Sequence, residues 1–495
     1  MKFMRLLALF ACALLVPSVS AQATCLRPGD DGFELADRSF QAAQMRLASP
    51  PGIAIERNFA AAGGDSDALR KLLQDRDSFK VPAQGLELSP EQAVERERAL
   101  AGIEQQVEAL APGLLQELAL QAMPAAMLMQ QLGPDEAILM LLQTGTGGFG
   151  WLVTDKCVSW ARLDLPTGAD LFQAQAHLRE AMLPSIAVRG KAGAKRRDGA
   201  ATELPMLLEQ WHGRLLGQFP DELQSVRKVY VQGSSQMLFI PFPALIDPKS
   251  KQYEVELRSY AILPSLKSLQ QRRASASEAQ GAARVLAIGA PAGSLLPDGK
   301  VYPPLPGAAA ELRAIRADLG DRAHILSGAE ATEVKLREAL LSQKADVLLF
   351  STHALLEGRG ESLGAAGLVL NSAQQPDRAD LLDLQDILSL PLDGELVILS
   401  ACDTASAGPD SSDALNGLAL AFLTSGARDV VVTNWPIADR SAAVWSAALL
   451  RQLADNRLSL IEAVRASQLE LMRSNGGKWA APQFWAPYVP VLGQP

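Results

Sequence analysis

Histidine and cysteine are scarce in this chain, with four of each among 495 residues. The histidines stand at 177, 212, 324 and 353, and none forms an H-x-x-x-H or H-E-x-x-H pair. No two cysteines lie at C-x-x-C spacing, so the usual zinc-ligand patterns are absent and no metal is expected. No Rossmann glycine fingerprint follows an apolar strand, and Gly145-Thr146-Gly147-Gly148 lacks the Gly-Lys-Ser/Thr of a phosphate loop. It reads instead as a hairpin turn, and no cofactor is expected. Aromatics make up only 5% and the formal net charge is −9, which argues against a basic or base-stacking nucleic-acid binder. Long apolar runs are also missing. The longest, Leu6 to Val16, has 11 residues, too few to span a bilayer.

What is present begins with that run. Lys2 and Arg5 precede it and Ala21-Gln22-Ala23 follows, the order of a secretory signal peptide with cleavage after Ala23. The chain is therefore expected in the periplasm or outside the cell, with no membrane span once the signal is removed. The alternatives are an N-terminal anchor, or a lipidated Cys25, for which Ala23-Thr24 is a poor lipobox. The apolar content of 48% leaves ample core for a folded chain of roughly three domains. Residues 24–85 are mixed in composition. Ser89-Pro90 opens a helical pattern running to Leu110, and a second helix is expected over 112–131. Strand-like runs occupy 136–164, with a further helix at 202–217 and a strand at 226–232. A basic stretch at 189–200 reads as a solvated loop. The Ala/Ser-rich segment 270–283 reads as a linker.

Beyond 283, apolar strands alternate with amphipathic helices. Strands are expected at 284–289, 346–351, 367–370, 396–400 and 428–433, and helices at 308–319, 332–342, 412–425, 437–453 and 459–473. Continuous apolar strands between helices predict a parallel sheet covered on both faces, with any site beyond the carboxyl ends of its strands. Two strands end alike: Leu348-Leu349-Phe350-Ser351-Thr352-His353 and Val397-Ile398-Leu399-Ser400-Ala401-Cys402. If they are neighbours, His353 and Cys402 emerge at one edge, 49 residues apart with His first. A free thiol is only a few per cent ionised at neutral pH, and a nearby imidazole raises the thiolate fraction. Taken singly, Cys402 reads as a core thiol and His353 as a satisfied loop histidine; the matched endings favour a catalytic pair. Gly360-Glu361-Ser362-Leu363-Gly364 fits the serine-hydrolase elbow pattern, but no strand directly precedes it and no histidine follows it, so the match is set aside.

From about Leu204 onward the chain resembles the CHAT-domain family of caspase-like, separase-related cysteine peptidases. The resemblance is carried by the Phe239-to-Leu245 segment, Leu305-Pro306-Gly307-Ala308 with Glu311, Ala331-Thr332 and Ser351-Thr352-His353. It continues through Leu399-Ser400-Ala401-Cys402-Asp403-Thr404, Ala421-Phe422-Leu423, Ser425-Gly426-Ala427-Arg428, Trp435-Pro436 with Asp439-Arg440, and Phe484-Trp485-Ala486-Pro487-Tyr488. It implies an α/β fold with a caspase-like, mostly parallel sheet, helices on both faces and an N-terminal helical region. The divisions are a signal peptide 1–23, a mostly helical region 24–130, and a first half of the CHAT-like region 131–270. By analogy that half is a catalytically empty α/β subdomain. A linker 271–283 and a catalytic subdomain 284–495 follow.

The resemblance implies a cysteine endopeptidase acting on protein or peptide substrates, with His353 and Cys402 as the dyad and the backbone N–H groups of Ala354 and Cys402 as oxyanion donors. The sequence departs from the family at Ala354, where many members have glycine, and at Asn434, where an apolar residue is common. The other functional class is an inactive CHAT-like module that binds proteins. By comparison with separases, Asp439 is expected to receive a basic side chain beside Trp435, with Asp403 as a second candidate and helix capping as the other role for Asp439. Cleavage after Arg or Lys would make the loop around Lys195-Arg196-Arg197 a self-processing site. With Cys402 kept as a thiol and Cys12 lost with the signal, Cys25 and Cys157 are left to pair in an oxidising compartment. No activating partner is identifiable from the sequence.

Overall fold

A computed structural model describes residues 23–47, 98–103, 105–106, 122–145, 147–182, 200–274, 283–355, 366–400, 414–454 and 458–493, apart from a few single positions between 294 and 303 and at 376, 436 and 438. The expected signal segment up to Gln22, the basic loop 189–199 and the Ser362 motif lie outside the described residues. So do most of the helix expected at 90–110, whose residues 98–103 are helical, and residues 401–413 with Cys402 and Asp403.

The first half of the sheet is built from β1 (Glu136–Thr144), β2 (Gly147–Thr154), β3 (Val158–Leu163), β4 (Lys228–Gly233) and β5 (Ser259–Ile262). β1 and β2 form an antiparallel hairpin in which Thr144 faces Gly147, and β3 continues the meander. β4 and β5 then add in parallel on the other side of β1. Alternation along β1 feeds two cores. Ala137, Leu139 and Leu141 pack with α3 (Gly168–Met182) and α4 (Ala200–Leu215). Ile138, Met140 and Leu142 pack with α1 (Phe33–Leu47), α2 (Ala125–Met129) and α6 (Leu266–Ala274). A strand that is apolar from Ala137 to Leu142 is thus buried on both faces. The helix expected over 112–131 is not continuous. Pro124 is extended (φ −60°, ψ 142°) and precedes the one-turn α2, because proline disfavours a helical residue before it and starts helices more readily than it continues them. A disulfide joins Cys25 to Cys157, Cα atoms 5.4 Å apart, beside a two-way backbone bridge between Leu26 and Val158.

The second half holds β6 (Val285–Pro291), β7 (Ala323–Gly328), β8 (Val347–Ser351), β12 (Leu396–Leu399), β13 (Asp429–Thr433) and β14 (Tyr488–Leu492). The eleven strands run β3-β2-β1-β4-β5-β14-β13-β12-β8-β6-β7. All neighbours in the second half are parallel except β13 and β14. Helices α7 (Pro306–Leu319), α8 (Glu333–Ser342), α10 (Ala414–Thr424), α11 (Asp439–Ala454) and α12 (Leu460–Arg473) agree with the expected pattern within about two residues, and the short α9 (Leu384–Leu388) was not expected.

One strand does not belong where its apolar run suggested. β10 (Gly367–Asn371) sits in a separate antiparallel sheet between β9 (Ala354–Leu355) and β11 (Ala379–Asp383). Burial on both faces comes from a small cluster of Leu296, Val369 and Ala379 on one side and the main core on the other, so its sequence looks like that of a central strand. The two halves of the main sheet meet at β5 and β14, which run parallel. Two side-chain ties reinforce that seam. Arg272 on α6 grips the buried Asp429 at the start of β13 (2.7 and 3.2 Å). Arg465 on α12 donates to the carbonyls of Val255 and Glu256 (2.7 and 2.8 Å), both in α5 (Glu254–Leu257).

Candidate active site

β8 and β12 are adjacent and parallel, in register from Val347–Leu396 to Phe350–Leu399. Ser351 ends β8 and Ser400 directly follows β12, so the two serines occupy equivalent steps at the carboxyl edge. Both are fully buried. Between them lies Glu311 of α7, only 1% exposed. Ser351 Oγ donates to Glu311 Oε2 at 2.5 Å, and Ser400 Oγ lies 3.1 and 3.2 Å from the two carboxylate oxygens. One buried acid therefore bridges the ends of two neighbouring strands.

Past Ser351, the chain passes from the main sheet into the small one. The Thr352 hydroxyl donates to the Val369 carbonyl, and Val369 N–H donates to the His353 carbonyl at 2.9 Å. Ala354 then pairs with Leu368 in β9–β10. His353 stands at this junction, anchored through its backbone by β10. The residue is 8% exposed, and its ring packs against Tyr302, centroids 5.3 Å apart and planes inclined at 54°. A crevice of about 10 Å³ opens beside it, with Gly293, Tyr302, Leu305 and Val369 among its walls. β6 crowds the same edge. A Cβ on Gly289 would lie 1.9 Å from the Ser351 carbonyl oxygen, a position only glycine can fill.

Ala354 adopts an ordinary extended backbone. Positive φ outside glycine occurs among the described residues at Lys251, Ala290 and Asn475, so the alanine Cβ meets no left-handed requirement there. Trp435 follows β13 and is 2% exposed, and its indole N–H donates to the Gln483 carbonyl at 3.0 Å. Asn434 is equally buried, and neither its Nδ2 nor its Oδ1 has a hydrogen-bond partner. Its N–H is bound by Pro487 O at 2.9 Å. Asp439 is the first residue of α11, two residues later than the expected helix start at 437 and inside the helix rather than at the capping position before it. Cys402, two residues beyond Ser400, and Asp403 lie outside the described residues. No cluster of three or more potential metal ligands occurs among the described residues.

Sequence reasoning missed the roles of Glu311 and Tyr302. The matched serines were visible as a repeated strand ending, but not that one carboxylate joins them. That link needs the register of β8 against β12 and the packing of α7 over them.

A family model of the CHAT domain matches residues 206–493. The mouse (Mus musculus) tetratricopeptide repeat protein 28 is 25% identical over 293 residues, covering 51% of this chain and 12% of that protein. In the Saccharomyces cerevisiae separase-securin complex, one chain is similar with a TM-score of 0.51 and 11% identity, over 86% of this chain and 33% of that one. The Arg specific cysteine proteinase gingipain R is similar with a TM-score of 0.34 and 10% identity, over 59% of this chain and 67% of that one. The chain thus spans about an eighth of the curated relative's length and a third of the separase chain's. The likeness to separase shows a caspase-like α/β fold, and the domain match covers more than half of the sequence. The chain belongs to the CHAT domain family.

Proposed function

We propose that the protein is an exported cysteine endopeptidase that uses His353 and Cys402 and cleaves after basic residues. One observation carries the reading: adjacent parallel strands in register end in bridged serines, and each serine is followed two residues later by one member of the pair. The Cys402 thiolate attacks the scissile carbonyl carbon, and the backbone N–H groups of Cys402 and Ala354 hold the resulting oxyanion. His353, carrying the thiol proton, passes it to the leaving amine as the C–N bond breaks. Water then attacks the thioester, giving a proton to His353 and releasing the acid, and the proton returns to the sulfur. Asp439 or Asp403 would receive the guanidinium or ammonium of the residue before the cut. Export rests on the N-terminal sequence, and the disulfide between Cys25 and Cys157 fits an oxidising compartment.

The test is cleavage of a peptide library by the mature protein. Cleavage after Arg or Lys, lost by at least ~10³-fold in Cys402→Ala and His353→Ala, is the expected result. Cleavage that survives Cys402→Ala sinks the mechanism. A preference for Asp or bulky apolar residues before the cut sinks the specificity, and an Arg preference unchanged in Asp439→Ala moves that role to Asp403. Complete absence of cleavage, with peptides bound, favours the protein-binding module.

A further inference from the structure

We propose that the amino ends of β6, β7 and β8 form a binding site for a small organic carboxylate with a compact apolar body. The site is separate from the dyad reading, since it lies at the edge of the sheet opposite Ser351 and Ser400 and uses neither. A cavity of about 290 Å³ opens there, between the starts of β6 and β7 and the last turn of α8. That is close to the lower end of the range for small-molecule sites, about 300–1,000 Å³. Its walls divide by chemistry. Leu286, Ala339 and Ala345 are buried and give it an apolar floor. Arg284, Arg322 and Lys344 are its cations, the arginine at 322 half-buried and the other two exposed.

The three cations are not equally available. Arg284 is engaged by Asp346, whose Oδ2 lies 4.0 Å from its Nε and accepts its backbone N–H at 2.7 Å. The side chains of Arg322 and Lys344 make no hydrogen bond or ion pair among the described residues, and Lys344 acts on the buried Glu395 only at longer range. Against them stand Asp321, the one acid among the walls, and the end of α8, which carries about half a negative charge. The balance in the cavity is positive, on a chain whose formal net charge is −9. His324 lines the same space with its ring held by Gln343, Nδ1 to Oε1 3.0 Å, so that wall is set before anything binds.

This combination selects the ligand. A guanidinium takes a carboxylate through two parallel N–H···O bonds, and an ammonium adds a second charge from another side. Neither residue has an acceptor to give up first. The buried floor rewards a hydrocarbon or aromatic body, which an inorganic anion lacks. The carboxylate can belong to a free acid or to the last residue of a peptide, because both present the same groups.

The test is ligand-observed saturation-transfer NMR on the whole mature protein with benzoate, N-acetyl-leucine and N-acetyl-leucinamide, the last lacking the carboxylate. The expected result is saturable binding of an acid with a Kd of ~0.1–10 mM, weakened by added salt, with the amide at least ~10-fold weaker. Arg322→Gln and Lys344→Gln should each weaken the acid about tenfold, and Asp321→Asn should tighten it about twofold. Arg313→Gln, which removes an exposed cation of α7 outside the cavity, should change nothing. Ala339→Leu fills the floor without altering charge and should abolish binding. If its urea midpoint shows that it does not fold, the exposed charge variants decide alone. Benzoate preferred over N-acetyl-leucine assigns the site to a free acid, and the reverse assigns it to a chain end; both support the proposal. Equal binding of acid and amide, no saturation by either acid, or an affinity unchanged in both Arg322→Gln and Lys344→Gln overturns it. Peptide cleavage enters none of these measurements, so failure of the peptidase reading leaves this site standing.

Discussion

Glu254 and Glu311 are both almost wholly buried, 0% and 1% exposed, and the company they keep differs. In the first half of the sheet, Glu254 is bound by Arg258 (2.7 and 2.9 Å), His212 Nε2 (2.9 Å) and the Tyr260 hydroxyl (2.6 Å). Arg258 in turn donates to the Leu223 carbonyl. Burial pushes the Glu254 carboxyl up, but the His212 hydrogen bond, Arg258 and Tyr260 pull it down further, leaving it below its usual value. That network is charge-compensated on the spot and belongs to the first half of the sheet. Glu311 instead holds two hydroxyls, at the carboxyl edge of β8 and β12. A buried acid paired with a cation is compensated where it lies; one shared by two hydroxyls ties the ends of two strands together.

The contrast can be broken most forcefully at Glu254. Glu254→Ala leaves Arg258 and His212 buried without their acceptor and should cost about 3–5 kcal/mol in urea unfolding. In the folded fraction, the alkylation rate of Cys402 should not change; a slowed rate at full stability would invert the comparison. Next in size is the covalent tie of the first half. Replacing Cys25 and Cys157 together by alanine should cost about 2–4 kcal/mol, again with Cys402 chemistry intact.

Gly289→Ala sharpens the comparison from the other side. Its Cβ would press on the Ser351 carbonyl, so a loss of about 1–3 kcal/mol should come with slowed alkylation. Loss of stability alone would mean that the strand end tolerates displacement. The smallest effect is on pH dependence. Because the Glu254 carboxyl is held below its usual 4.5, its contribution is fully present above that value and is lost as pH falls through the folded one. Wild-type stability should therefore decline more steeply below about pH 4.5 than that of Glu254→Gln, as followed by urea midpoints; parallel curves would remove Glu254 from the acid response.

The strands around the site were legible because buried parallel strands are continuous apolar runs with abrupt polar ends, as in Val347–Ser351 and Leu396–Leu399. β10 was legible as a strand but not as part of another sheet, since Gly-Leu-Val-Leu-Asn carries no mark of its partners. β7 was missed because Ala-His-Ile-Leu-Ser-Gly, at the outer edge, mixes polar with apolar residues. β14 was missed because Pro490 sits inside it, where proline argues against an inner strand. At the site, the two matched endings pointed to His353 and Cys402, whereas Glu311 lies 40 residues before Ser351 and meets it only through helix packing. Sequence spacing reports what a strand presents; it does not report what a third element brings to it.

β14 carries a consequence for the order of events during synthesis. It is the last of the described strands, yet it lies in the middle of the sheet, between β13 and β5. Every other described strand precedes residues 488–492 in the chain. Until β14 is made and inserted, the β5 and β13 edges lack the strand that lies between them. Open edges invite pairing with other chains, so this interval is when the protein most needs protection. Closure by β14 is a late, long-range contact of the kind that folds slowly. A polypeptide cut short before Tyr488 would keep both edges permanently open.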